Sequence, residues 1–73
     1  MQYDKNLVKL GKHIHNLRTG KKLTLRMLCY NKGLGLEPST ISRIEKGMVE
    51  PKYLTLLHLA EALEIKLSEL LDF

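Results

Sequence analysis

Almost every apolar residue in this chain falls on helical spacing, and few windows alternate apolar with polar as a strand would. Leu7, Leu10, Ile14 and Leu17 mark a first helix from about Asp4 to Thr19, stopped by Gly20. Thr24 is placed to cap a second helix, Leu25 to about Lys32, with Leu28 inward and Gly33 closing it. Leu56, Leu59, Ala60 and Leu63 give a fourth helix, Tyr53 to Glu64. Ser68 is placed to cap a short last helix whose apolar set is Leu67, Leu70, Leu71 and Phe73. The pattern predicts an all-α chain of five short helices, with no strands, repeats or linkers.

The third helix carries the most information. Glu37 falls at the N-cap position, Pro38 suits the first helical position with its preset φ, and Gly47 ends the segment. Ile41, Ile44 and Met48 share one face, so the spacing predicts that all three are buried. Ser39, Ser42, Arg43 and Lys46 lie opposite on a small, polar, cationic face. Such a helix offers short hydrogen-bonding side chains to a groove and cations to its walls. Read alone, it is equally an ordinary surface helix.

With 73 residues the chain makes one domain, residues 1–73, with a modest core. A hydrophobic content of 44% is normal for a folded protein. No apolar run approaches the ~18 residues of a membrane span. The absence of a leader pattern and the single cysteine lead us to expect a cytoplasmic protein without a disulfide. No ligand cluster for zinc is evident, and neither metal nor cofactor is expected.

Net charge is +4, and its distribution says more than the sum. Residues 1–52 carry +7, whereas residues 53–73 carry −3. A basic front and an acidic rear suit binding to a polyanion on one side only. Charge alone does not separate nucleic acid from acidic lipid or protein.

Several stretches in order resemble one family. They are Leu10-Gly-Lys-His-Ile-His-Asn-Leu-Arg18, Leu23-Thr24, Leu28-Cys29, Gly33, Ser39-Thr-Ile-Ser-Arg-Ile-Glu-Lys-Gly47, Pro51 and Leu54-Thr-Leu-Leu-His-Leu-Ala-Glu-Ala-Leu63. From about residue 8 to residue 71 the chain resembles the Cro/C1-type helix-turn-helix regulators, also called the XRE type. The resemblance implies a compact five-helix, lambda-repressor-like domain that binds operator DNA, usually as a dimer, with helix 3 in the major groove. Cys29 stands where the family commonly has Ala, which implies a small buried residue rather than a redox centre.

Two departures are visible. The turn holds Leu34-Gly35-Leu36 between Gly33 and Glu37, where the family needs one residue. Either it tilts helix 3 against helix 2 or it loops outward. The first residue of helix 2 is Leu25 rather than the phosphate-anchoring Gln, so a grip there falls to Thr24, Arg26 or the backbone.

The resemblance assigns base reading to Ser39, Ser42 and Arg43. Arg43 is the foremost reader, because its fork can bond O6 and N7 of guanine. Pro38 occupies a base-contacting position but can offer only an apolar touch to a thymine methyl. Thr24, Thr40, Lys46, Lys52, Lys22 and Arg26 are the candidates for phosphate contacts. Glu45 leans toward the buried face of helix 3, where a lone carboxylate is costly. The family motif pairs it with an Arg near the end of helix 1, here Arg18, to lock helix 3 in place. Leu71 and Phe73, with Leu67, are the candidates for a homodimer interface.

His13 and His15 diverge on their helix, and no nucleophile-base pair, carboxylate pair or phosphate-cradling loop is present. The expected function is therefore a non-enzymatic, sequence-specific regulator of double-stranded DNA, a dimeric repressor of a palindromic operator. The alternatives are an antitoxin-like or other protein-interaction module using the helix-turn-helix as a scaffold, and RNA or nonspecific polyanion binding.

Overall fold

The structure, a computed structural model, describes residues 4–73. It is all helical, in the order α1 (Lys5–Gly20), α2 (Met27–Asn31), α3 (Pro38–Glu45), α4 (Tyr53–Ala62) and α5 (Leu67–Leu70). Of the domain read over 1–73, the first three residues lie outside the described set. Asp4 caps α1, its Oδ1 accepting from the backbone N–H of Asn6 at 2.7 Å. Helical backbone begins at Leu25, and Thr24 Oγ1 accepts from Met27 N at 3.1 Å, the cap read from the sequence. α2 then widens into a π-helical turn, with Lys32 N donating to Met27 O at 3.3 Å.

The core is one cluster to which every helix contributes. Ile14, Leu28, Ile41, Leu59, Leu63 and Leu70 are completely enclosed, and Leu10, Cys29, Leu34 and Ile44 complete the shell around them. Cys29 lies where the resemblance implied, and burial pushes its thiol upward in pKa, so it stays protonated. α1 packs along α3, and α4 packs along α5. Gly11 is what lets α1 come so near. A Cβ built there would collide with the carbonyl oxygens of Ile44 and Glu45.

Three expectations are corrected. Met48 is 46% exposed, because the chain has left the helix by then and turned away. Gly20 does not stop α1; it is the last helical residue, and the stop comes two residues later. Ser68 does not cap α5, which starts at Leu67 with Lys66 at the cap position. There Glu69 Oε1 reaches back to accept from the Lys66 N–H at 3.4 Å.

α1, α2, α3 and α4 all end against a residue in the left-handed region: Lys22 (φ 58°), Gly33 (65°), Gly47 (73°) and Glu64 (59°). The residue after each returns a hydrogen bond into the last turn, as Leu23 N to Arg18 O at 3.2 Å and Met48 N to Arg43 O at 3.0 Å. Two of these positions lack glycine. Glu64 is held by an ion pair, its Oε1 accepting from Lys32 Nζ at 2.7 Å, which keeps its carboxyl below the usual range. Lys22 has no such partner among the described residues. The left-handed cost of about 1–2 kcal/mol exceeds the extra entropy of an unfolded glycine, about 0.5–1 kcal/mol. Lys22→Gly should therefore stabilise the domain by roughly 0.5–1 kcal/mol in urea denaturation.

Candidate nucleic-acid interface

Helix α3 presents the polar face expected of it. Ile41 and Ile44 are buried, while Ser39, Arg43 and Lys46 are exposed on the opposite side, with Ser42 at its edge, half-buried. Pro38 takes the first helical position and Thr40 the third, both half-buried on the flanks. Lys22, Arg26 and Lys52 are exposed in the loop after α1, at the start of the second helix and at the cap position of α4. None of these cations joins an ion pair among the described residues. Thr24 is exposed; its oxygen accepts from Met27 N, leaving the hydroxyl hydrogen to donate elsewhere. Leu25 packs against the core, so it holds the second helix rather than a phosphate.

The back of α3 is fixed at both ends. At its carboxyl end, Arg18 Nε donates to Glu45 Oε2 at 2.7 Å and Arg18 Nη2 to Glu45 Oε1 at 3.0 Å. The two side chains are 9% and 7% exposed, a buried fork-to-carboxylate pair. Arg18 Nη1 also donates to Leu23 O at 2.7 Å, so one guanidinium ties α1 to α3 and to the loop entering α2. Hydrogen bonding to Glu45 raises the Arg18 pKa further, keeping the charge fixed. His15, unassigned from sequence, completes the group with Nδ1 2.9 Å from Glu45 Oε1. Its position three residues before Arg18, hence on the same face of α1, was the available signal.

At the amino end, the long turn neither loops outward nor hangs free. Leu34 is 7% exposed within the core and Leu36 packs against it. Gly33 and Gly35, both left-handed, alternate with these leucines and turn them inward. The added length is thus absorbed by burial.

Two elements linked by a turn, the second laid across the surface with its cationic side free and its apolar side sunk in the core, make a helix-turn-helix. Residues 14–70 match the Helix-turn-helix family. The chain belongs to the Cro/C1-type helix-turn-helix family. Members of this family are DNA-binding transcriptional regulators, and so is this chain. It superposes on the restriction-modification controller protein C.AhdI from Aeromonas hydrophila with a TM-score of 0.85 and 34% identity, covering 92% of this chain and 98% of that one. With the clp gene regulator ClgR from C. glutamicum the TM-score is 0.83 and the identity 25%, over 93% of this chain and 86% of that one. ComR from Streptococcus suis matches at 0.81 and 26%, over 97% of this chain but only 23% of ComR. No curated protein sequence matches.

The rear of this helix-turn-helix domain holds the remaining candidates. Leu70 is enclosed and Leu67 half-buried against the core, whereas Leu71 and Phe73 are 43% and 50% exposed. The Phe73 ring lies 6.3 Å from that of His13, whose Nε2 donates to Glu69 O at 2.8 Å. His13 thereby fastens α5 to α1, a role sequence reading missed. Among the described residues no helix is long and apolar enough to cross a membrane, and no group of side chains could hold a metal.

Proposed function

We propose that this regulator is a dimeric repressor that reads a palindromic operator with α3 in the major groove of double-stranded DNA. The observation that carries the reading is the outward row Ser39, Arg43 and Lys46, backed by enclosed Ile41 and Ile44. In this reading Arg43, Ser39 and Ser42 meet base edges, and Pro38 touches a thymine methyl. Lys46, Lys52, Lys22, Arg26, Thr24 and Thr40 meet phosphates on either side. Leu71 and Phe73, with the outer part of Leu67, join two copies. Two copies set the reading helices ~34 Å apart, one turn of DNA. Similarity to C.AhdI favours control of restriction-modification genes as the setting.

Selection of duplexes from a random pool, followed by titration at several salt concentrations, tests this. The preferred duplex should bind about 10³-fold or more tighter than random DNA, with affinity falling steeply as salt rises. Arg43→Ala should relax preference at one base position by about 1–3 kcal/mol, whereas Lys46→Ala should weaken all duplexes alike. Identical behaviour of the two variants would overturn the division between reader and anchor. Equal affinity for every duplex would leave only polyanion binding, and no affinity for any would return the protein-interaction reading.

A further inference from the structure

Helix α3 carries a carboxylate at each end, and only one of them joins an ion pair among the described residues. Glu45 is consumed by Arg18 and His15 behind α3, but Glu37, at the front end of the same helix, is exposed and outside any ion pair among the described residues. It holds the N-cap position, where φ −80° and ψ 150° suit a capping residue, yet its side chain accepts no hydrogen bond from the helix. The cap is made by its backbone instead, Glu37 O accepting from Thr40 N at 3.0 Å and Ile41 N at 3.3 Å. The carboxylate therefore contributes nothing visible to folding. Beside a phosphate backbone it is repelled, so it opposes binding to DNA of arbitrary sequence.

Its neighbour sharpens the point. Pro38, at the first turn of α3, has no hydrogen-bonding group to offer a base, so polar readout at the leading end of the helix falls to Glu37 and Ser39. A carboxylate is an acceptor only, and the donors on the floor of the major groove are the exocyclic amino groups of cytosine and adenine. Resting on the reading of α3 as the groove-entering helix, we propose that Glu37 is a specificity-determining residue that accepts from a cytosine N4 amino group. Repulsion by the phosphates penalises every sequence, and only a site with the amino group in reach returns a charge-assisted hydrogen bond. Glu37 thus acts by rejecting wrong operators more than by tightening the right one.

The test is duplex selection from a random pool with the wild-type chain, Glu37→Gln and Glu37→Ala, each first confirmed to melt as wild type does. The wild type should enrich cytosine roughly tenfold or more at one position of each half-site. Glu37→Gln should move that position toward adenine, whose N6 and N7 suit an amide, and Glu37→Ala should leave it degenerate. Both variants should bind random duplex severalfold more tightly than wild type at low salt, since a negative charge has gone. An unchanged preferred site in all three proteins would overturn the proposal while leaving the reading of α3 intact. A wild-type chain that selects no site at all would overturn both.

Discussion

Gly11→Ala will destabilise the domain, although alanine is the better helix former by about 1 kcal/mol in the middle of an exposed helix. The added methyl would meet the carbonyl oxygens of Ile44 and Glu45, the latter at 2.5 Å. Both are backbone atoms at the end of α3, so neither can rotate away. Overpacking of this kind costs about 1–3 kcal/mol, occasionally more, and a clash against main chain belongs at the upper end. The steric effect therefore outweighs the propensity gain. Gly20, the last residue of the same helix, is the internal control: nothing lies within 4 Å of a Cβ built there. Gly20→Ala should be neutral or stabilising by up to about 1 kcal/mol. Urea denaturation should show a clear loss of stability for Gly11→Ala and none for Gly20→Ala. A Gly11→Ala protein as stable as wild type would mean that α1 and α3 do not approach so closely.

Removing either member of the Arg18–Glu45 pair has the largest expected effect. Both side chains are more than nine-tenths buried, and loss of one strands the other's charge, a cost of about 3–5 kcal/mol. A domain of this size holds roughly 4–11 kcal/mol in total. Arg18→Met or Glu45→Met alone should therefore leave a protein close to its unfolding threshold. The double substitution should be milder than the sum of the singles by at least about 2 kcal/mol, because two apolar side chains leave no buried charge behind. Additive losses in denaturant titrations would show that the two groups do not act as a pair. The effect should also resist added salt, since screening reaches buried charges poorly.

This pair shows what sequence could and could not convey. Glu45 was marked because it fell on the greasy side of α3, and a carboxylate there demands a partner; only the family resemblance named Arg18. Ile41 and Ile44 were legible through their spacing, whereas Met48 is misplaced when that spacing is carried past Gly47, the residue that ends the helix. Gly33 and Gly47 announced two helix ends, whereas Lys22 and Glu64 concealed two others. A left-handed residue that is not glycine costs only about 1–2 kcal/mol and leaves no mark in the sequence. The inward fold of Leu34 and Leu36 was missed for a related reason. Whether a leucine in a turn is buried depends on a neighbouring hollow, and that hollow exists only once the helices around the core are assembled. His13 was hidden similarly, since its partner is a main-chain carbonyl 56 residues away.

The leading end of α3 hangs from two leucines, Leu34 sunk in the interior and Leu36 half-buried against it. Its pitch against the body of the domain is therefore set by the lengths of side chains that lie behind the polar face. Under the proposed reading of α3, shortening or branching either peg would re-aim Ser39, Ser42 and Arg43 at once, which would open operator choice to revision from within.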